Sequence, residues 1–167
     1  QRDYDNLLVI SILKGSFIFA ADLIRAMHDC GLSPEVEFIF ISSYGTGTTS
    51  GDVKVLRDID NDVAGRDVLL IDDILESGRT IVFAKDLIAA RGARRVLSAV
   101  LLEKPGKRAV HIEADFVGFT CPDVFVVGYG MDVAHSYRQL PFVGVIDTGD
   151  TSPDLFEPEA AASGPGA

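Results

Sequence analysis

A chain of 167 residues, 47% of them hydrophobic, can bury one ordinary core, so a single folded domain is expected. No apolar run reaches the roughly 18 to 20 residues that a membrane-spanning helix needs, and the mean hydropathy of +0.24 exceeds that of disordered chains. The formal net charge of -10 argues against a nucleic-acid partner, so local groups would have to hold any anionic substrate.

The two cysteines, Cys30 and Cys121, lie in apolar surroundings without metal-ligand spacing. This pattern favours buried free thiols in a reducing compartment. No targeting signature precedes the first apolar segment, so the cytoplasm is the expected location. Gln1 is an unusual first residue, so we expect that upstream residues are missing or were removed.

The first elements read as strand, helix and strand. Residues 7–13 are almost continuously apolar, as in a strand covered on both faces of a parallel sheet. Apolar residues at helical spacing predict a helix over 16–29 that ends near Gly31. A second strand is expected over 36–42.

Residues 42–52 are rich in glycine and small polar residues. Such a composition cannot bury a face, and the segment is too long for a tight hairpin. It predicts a mobile loop. Strands are expected after it over 53–56 and 68–71.

An amphipathic pattern over 79–90, closed by Gly92, predicts a second helix before a strand over 96–102. The resulting βαβαβ order implies an α/β fold, with a parallel sheet between helices and ligands beyond the carboxyl ends of the strands. Further short strands are expected over 116–119, 125–128 and 142–146.

The chain therefore divides into one domain over residues 1–148 and a tail over 149–167. The tail combines acidic residues and prolines with a small-residue end, and is expected to be disordered.

Residues 68–80 carry the most chemical information: an apolar strand, three acids, a small-residue turn and a helix. A turn that opens a helix offers backbone N–H groups and the positive end of the helix dipole, which suit a phosphate. Ser77 and Thr80 add hydroxyl donors, and Gly78 permits close backbone approach.

The adjacent acids Asp72 and Asp73 follow the strand directly. Carboxylates there can accept hydrogen bonds from sugar hydroxyls or hold a hydrated Mg²⁺. An isolated pair would more often be a helix cap beside a solvated neighbour. The surrounding pattern favours the sugar-binding interpretation.

This stretch resembles the signature of the type I phosphoribosyltransferases: four apolar residues, two acids, two apolar residues, an acid, Ser or Thr, Gly, Lys or Arg, and Thr. The resemblance implies the fold of that family, a mostly parallel twisted sheet flanked by helices, with a long mobile catalytic loop. It implies that Asp72 and Asp73 contact the ribose. It also implies a site for the 5'-phosphate formed by Ser77, Gly78, Arg79 and Thr80.

Two further segments resemble the hypoxanthine-guanine branch of this family. Leu13-Lys14-Gly15 matches a turn that binds pyrophosphate and often has a cis peptide. Ser43-Tyr44, followed by residues 49–54, resembles the branch's closing loop, which shields the reaction from water.

The longest match to that branch comprises residues 115–119, 122–123, 125–132 and 137–141. It implies that Phe125 stacks on the purine and that Val126 bonds the purine edge through its backbone, although core packing would explain both residues outside this context. It also implies that Arg138 meets pyrophosphate and that Asp132 joins Asp72 in holding Mg²⁺.

The third acid of the signature is usually Asp and is here Glu76. By resemblance it exchanges a proton with N7 of the purine. Many members have a lysine for the 6-oxo group where this chain has Glu113, which leaves Lys104 and Lys107 as other candidate donors. The family's N-terminal helix has no counterpart here.

The resemblance implies a Mg²⁺-dependent purine salvage enzyme that joins hypoxanthine or guanine to the ribose 5-phosphate of phosphoribosyl pyrophosphate. A homodimer or homotetramer without membrane or nucleic-acid partners is expected. Two alternatives stay open: a preference for xanthine or guanine, because of Glu113, and a non-catalytic sensor of phosphoribosyl pyrophosphate.

Overall fold

A computed structural model describes Tyr4, residues 6–43 and residues 53–147. Eight strands and two α-helices lie in these parts of the chain. The strands are β1 (Leu7–Leu13), β2 (Glu35–Ser43), β3 (Val53–Arg57), β4 (Asp67–Leu75), β5 (Arg95–Glu103), β6 (Phe116–Thr120), β7 (Phe125–Val127) and β8 (Gly144–Ile146); the helices are α1 (Phe17–Asp29) and α2 (Arg79–Ala90). A short 3-10 helix spans Pro105–Lys107.

The central sheet has six strands in the order β3-β2-β1-β4-β5-β6. All neighbouring pairs are parallel except β2 and β3, which run antiparallel, with Ser43 opposite Val53 at the end of their ladder. The predicted α/β fold with a mostly parallel sheet is therefore confirmed. The predicted order of strands and helices is also found in the described residues, with α1 between β1 and β2 and α2 between β4 and β5.

Alternate residues of β1 and β4 face opposite helices. Leu8 and Leu70 pack in the cluster that contains Ile81 of α2, whereas Val9 and Ile71 pack with Ala20 of α1. Each fully buried aliphatic side chain contributes about 1.5 to 3 kcal/mol. Both faces of the two strands are thus covered, as the continuous apolar run of β1 predicts.

Strands β7 and β8 pair antiparallel in a separate two-stranded sheet.

The prediction of buried thiols is wrong for Cys30, which is exposed, and right for Cys121. Cys30 is the C-cap residue of α1, beyond the turns that pack on the sheet. In the described parts of the chain, no helix is long and apolar enough to cross a membrane. The predicted tail over 149–167 lies outside the described residues.

Candidate active site

The connections between strands move in opposite directions along the sheet on the two sides of the β1–β4 pair. The chain leaves β1 through α1 and joins β2 on one side, and it leaves β4 through α2 and joins β5 on the other. Crossovers that diverge in this way open a crevice at the carboxyl ends of the two strands, where α/β proteins bind ligands. The segments that the sequence singles out follow these two strands.

The crevice holds a cavity of about 480 Å³. Most of the predicted ribose, pyrophosphate and metal residues line it, although they come from four separate parts of the sequence. Those residues are Lys14, Gly15, Asp72, Asp73, Thr80, Asp132 and Arg138, and Ser43 of the predicted closing loop lines the cavity with them.

A second cavity of about 190 Å³ lies at the turn before α2. Its lining includes Glu76, Ser77 and Gly78. Asp72 and Thr80 line both cavities, so the two are contiguous. Two adjoining polar cavities therefore meet at a carboxylate.

Strand β4 continues to Leu75, four residues beyond the predicted end at Ile71. Pairing with β1 stops at Ile71, but β5 continues alongside, with Asp72 opposite Val100 and Leu75 opposite Glu103. Asp72 and Asp73 therefore lie in the part of β4 that extends past β1 and is paired only with β5.

Asp72 and Asp73 are held by their local backbone. Asp72 Oδ1 accepts from the Asp73 N–H at 2.9 Å, and Asp73 Oδ1 accepts from the Ile74 N–H at 2.8 Å. Burial, together with the charge of Asp73, raises the pKa of Asp72 well above its ordinary value. Burial also raises the pKa of Asp73, against the lowering effect of its hydrogen bonds and of Arg138.

The turn after β1 lies directly against Asp73. A Cβ atom on Gly15 would lie 1.8 Å from Asp73 Oδ2, so the close approach requires glycine. The Leu13–Lys14 peptide is cis, as the resemblance implies. The Lys14 ammonium lies 5.5 Å from the centroid of the Phe40 ring.

Asp132 and Arg138 face each other across a short loop. Arg138 Nη2 lies 3.0 Å from Asp132 Oδ1, and Arg138 Nη1 donates to the Gly130 carbonyl at 2.7 Å. The His135 N–H donates to Asp132 Oδ2 at 2.8 Å. A cation and an anion thus stand together opposite the end of β4.

The turn before α2 has the features expected of a phosphate site. Gly78 is the N-cap residue with φ of +85°, and the Ser77 hydroxyl accepts from the Arg79 N–H at 3.3 Å. The first N–H groups of a helix have no partners within it. Arg79 lies at the start of α2 but lines neither cavity.

Glu76 is paired with both lysines that the sequence proposes as alternative donors. Its Oε1 lies 3.6 Å from Lys104 Nζ and 3.8 Å from Lys107 Nζ. Lys104 is buried. Lys107 also pairs with Asp123 at 2.8 Å, and this hydrogen bond with the Asp123 charge raises the pKa of Lys107.

Phe125 and Val126 line neither of the two cavities. Phe125 is 45% exposed, whereas the Val126 side chain is buried in a cluster with Leu101 and Met131. Ile74 packs on that cluster, which brings it next to the end of β4. An exposed aromatic ring and a buried aliphatic neighbour suit the predicted stacking and backbone roles, which stay predictions.

Two other sequence features lie apart from the crevice or outside the described residues. Glu113 lines a separate cavity of about 370 Å³ with Glu103, Arg108 and His111. Tyr44 and most of the predicted closing loop over residues 42–52 lie outside the described residues. Ser43, at the end of β2, lines both central cavities.

The carboxylate oxygen atoms in the crevice are suitable ligands for a magnesium ion. Mg²⁺ prefers oxygen ligands and is commonly held by one or two carboxylates with water and substrate phosphates. Asp72 and Asp132 line the same cavity, and a cation would relieve the buried charge beside Asp73. Across residues 6–43 and 53–147, no group of three or more His, Cys, Asp or Glu is arranged to hold a metal.

Comparisons with known proteins point in one direction. Residues 1–134 match the model of the phosphoribosyl transferase domain. The chain is 42% identical over 142 residues to a hypoxanthine phosphoribosyltransferase of Escherichia coli, covering 84% of this chain and 78% of the relative. It is 49% identical over 142 residues to the bifunctional protein TilS/HprT of Listeria monocytogenes, covering 84% of this chain and 22% of the relative.

Solved structures agree with the sequence relatives. A hypoxanthine phosphoribosyltransferase from Staphylococcus aureus aligns with a TM-score of 0.81 at 38% identity, over 87% of this chain and 78% of its own. One from Trypanosoma cruzi, in a ternary complex with substrates, aligns with a TM-score of 0.82 at 39% identity, over 89% and 80%. Matched in sequence and in fold over most of its length, the chain belongs to the phosphoribosyltransferase family, in the group of the hypoxanthine phosphoribosyltransferases.

Proposed function

We propose that this protein transfers the phosphoribosyl group of phosphoribosyl pyrophosphate to hypoxanthine or guanine, forming IMP or GMP and pyrophosphate. One observation carries the proposal: two contiguous polar cavities meet at Asp72. The substrate has a phosphate at one end of its ribose and a pyrophosphate at the other. The site matches that shape: the turn before α2 suits the phosphate, Lys14 and Arg138 suit the pyrophosphate, and the acids of β4 lie between them.

The binding roles follow from this match. Ser77, Gly78, Arg79 and Thr80 hold the 5'-phosphate at the start of α2. Asp72 and Asp73 accept hydrogen bonds from the ribose hydroxyls. Lys14, Gly15 and Arg138 meet the pyrophosphate, since an ammonium and a guanidinium suit a multiply charged anion.

Catalysis requires charge to be neutralised on the leaving group. When bound at Asp72 and Asp132, Mg²⁺ would neutralise part of the pyrophosphate charge. Lys14 and Arg138 stabilise the departing anion further. As the bond from C1' to the pyrophosphate oxygen breaks with its electron pair, C1' gains oxocarbenium character and the N9 lone pair of the purine attacks it.

The purine must lose a proton as its N9 bond forms. Glu76 accepts that proton from N7, and Lys104 and Lys107 hold its carboxylate in place. Phe125 stacks on the base and Val126 bonds its edge through the backbone. Ser43 and Tyr44 belong to the segment that closes over the site and limits hydrolysis.

An assay with hypoxanthine, guanine and xanthine tests the reaction and its base preference together. We expect nucleotide formation with hypoxanthine, guanine or both, dependent on Mg²⁺. A sensor of phosphoribosyl pyrophosphate would bind that ligand without forming nucleotide from any base. Turnover with xanthine well above hypoxanthine would favour the alternative specificity that Glu113 leaves open.

Variants of the proposed acids test their roles. Glu76→Ala should lower kcat by about 100-fold or more, because general acid–base catalysis contributes roughly 10² to 10⁴. Asp73→Ala should lower kcat by a similar factor, because a ribose misplaced by about 1 Å can cost about 100-fold. Glu76→Asp restores the family's usual acid and should retain most of the activity. Asp58→Ala, which removes an exposed acid paired with Arg91, is the control and should leave kcat unchanged. Normal turnover in a folded Glu76→Ala variant would disprove its role.

We also propose that the enzyme acts in the cytoplasm as a homodimer or homotetramer. The proposal rests on family resemblance. Analytical ultracentrifugation of the purified chain, with and without phosphoribosyl pyrophosphate, would determine the assembly, and a monomer under both conditions would contradict it.

A further inference from the structure

The turn before α2 is fastened from behind by the segment of residues 104–112. Three successive carbonyl groups, from Leu75 at the end of β4 to Ser77 in the turn, accept hydrogen bonds from this segment. The Leu75 carbonyl accepts from the Lys104 N–H at 3.0 Å. The Ser77 carbonyl accepts from the N–H groups of Ala109 at 2.9 Å and Val110 at 3.3 Å.

One side chain, Arg108, reaches across the middle of this contact. Its Nη1 donates to the carbonyl groups of Leu75 at 2.9 Å and Glu76 at 2.8 Å. The same nitrogen lies 3.2 Å from the carbonyl of Lys104. A single guanidinium thus holds the end of β4 and the first residue of the turn against the segment that follows β5.

The Arg108 guanidinium is itself fixed on its other sides. Its Nη2 donates to Glu103 Oε1 at 2.5 Å, and its Nε donates to the Ile112 carbonyl at 3.2 Å. The side chain of Arg108 is 18% exposed and that of Glu103 is 24% exposed. Only a planar fork with several donors can satisfy these acceptors together, which a lysine cannot do.

The direction of the carbonyl groups determines where the amides point. The peptides of the turn are trans, since among the described residues only Leu13–Lys14 is cis. In a planar trans peptide the N–H points away from the C=O. With the carbonyls of residues 75–77 held against residues 104–112, the N–H groups of residues 76–78 are directed to the opposite side. The cavity of about 190 Å³ is lined there by Glu76, Ser77 and Gly78.

We infer that Arg108 is a positioning residue for the 5'-phosphate: it holds the turn so that its amides face the anion, without touching the substrate. The inference rests on the proposed function and assigns a role to a residue for which the sequence motifs give none. Loss of the guanidinium should weaken binding of the 5'-phosphate of phosphoribosyl pyrophosphate and leave binding of the purine nearly unchanged.

The test compares Arg108→Gln and Arg108→Lys with the wild type in two measurements. Steady-state kinetics gives kcat and separate KM values for phosphoribosyl pyrophosphate and for the purine. Calorimetry gives the affinity for ribose 5-phosphate, which needs no turnover. Arg91→Gln is the matched control, because Arg91 is an arginine in an exposed ion pair at the other end of α2.

We expect both Arg108 variants to raise the KM for phosphoribosyl pyrophosphate and to weaken ribose 5-phosphate binding by the same factor, on the order of tenfold or more. The KM for the purine should stay within about twofold of the wild type, because Phe125 and Val126 hold the base and a displaced Glu76 would lower kcat rather than raise this KM. A merely structural role would lower the melting temperature and affect both substrates alike. Should Arg108→Gln fail to fold, Arg108→Lys, which keeps the charge and the stem, decides the question.

The outcomes separate this inference from the proposed function. If the wild type forms nucleotide and a folded Arg108 variant keeps its KM for phosphoribosyl pyrophosphate, the positioning role is wrong and the proposed function stands. If the wild type forms no nucleotide but binds ribose 5-phosphate, and both Arg108 variants bind it more weakly, the proposed reaction is wrong and the positioning role stands. If the wild type binds no ribose 5-phosphate and forms no nucleotide, both are wrong.

Discussion

At the scale of single residues, the site depends on a contact that leaves no space for a side chain. Gly15 lies in the turn after β1 and Asp73 lies in β4, yet the Asp73 carboxylate occupies the place where a Cβ on Gly15 would be. The carboxylate is also held by the Ile74 N–H at 2.8 Å, so it cannot move freely away. The turn after β1 and the acid of β4 are therefore fitted to each other.

The first prediction concerns this contact. Gly15→Ala should lower kcat by about 100-fold, because displacing a catalytic or binding group by about 1 Å can cost that much. Gly106→Ala is the control, since a Cβ at Gly106 meets nothing within 4 Å. Steady-state kinetics and thermal unfolding of both variants would check the prediction. Equal activity in the two variants would contradict the fitted contact.

The contacts around Glu76 include one that sequence motifs cannot predict. The signature predicts that Asp72, Asp73 and the turn come together, and the structure brings them to one crevice. Arg108 could not be found in this way, because an arginine that bonds backbone carbonyls follows no spacing rule in the sequence. Only the path of residues 104–112 behind the turn reveals its contacts.

At the scale of secondary structure elements, β4 decides both the position of the site and the success of the sequence prediction. The sequence predicts its end at Ile71 because the next two residues are acids. The neighbouring strand β5 extends to Glu103 and supplies backbone partners that no local pattern indicates. By contrast, the amphipathic pattern predicts α2 over 79–90, the observed bounds, because its buried face repeats at helical spacing.

The other end of β4 is held by charge. Asp67 is buried, and it accepts from Arg94 at 2.9 and 2.5 Å and from Arg95 at 2.8 Å. These hydrogen bonds, those of Arg94 first, lower the pKa of Asp67 below its ordinary value of 3.8, against the effect of burial. Because the folded pKa is the lower one, the stabilisation is present above pH 3.8 and is lost as the pH falls through the folded pKa.

The second prediction follows from that sign. Asp67→Asn should reduce the free energy of unfolding by about 1 to 3 kcal/mol at neutral pH, since it leaves buried hydrogen bonds unmade. The difference from the wild type should shrink below about pH 4. Urea unfolding at neutral and acidic pH would measure it. The control is Asp58→Asn, in an exposed ion pair, which should lower the free energy of unfolding by less than about 1 kcal/mol. A loss of stability in Asp67→Asn that is the same at both pH values would contradict the role of the Asp67 charge.

At the scale of the whole molecule, the small β7-β8 sheet and the loop with Asp132 are tied to the main body through Tyr129. Its hydroxyl donates a short hydrogen bond to Asp22 Oδ2 of α1, and its ring packs on the cluster around Leu101. Burial first, and then the hydrogen bond to Asp22, raise the pKa of Tyr129 to about 12. A raised pKa means that folding favours the protonated phenol.

The third prediction tests this connection. Tyr129→Phe should lower the free energy of unfolding by about 1 to 2 kcal/mol at neutral pH. The difference should be complete below pH 10.0, the ordinary pKa, and should close as the pH rises towards 12. Tyr4→Phe, at an exposed tyrosine, is the control and should have little effect. A gap that persists unchanged at high pH would contradict the role of the phenol proton.

The antiparallel edge of the sheet has a consequence for how this enzyme could vary. Ser43 and Val53, which flank residues 44–52 in the chain, stand opposite each other in the backbone ladder. Doubling the length of such a connection costs only about 0.6 kcal/mol. Insertions or deletions there should leave the scaffold nearly as stable as before, and under the closing role proposed for this segment they would change how quickly the reaction is enclosed and how much phosphoribosyl pyrophosphate is lost to water.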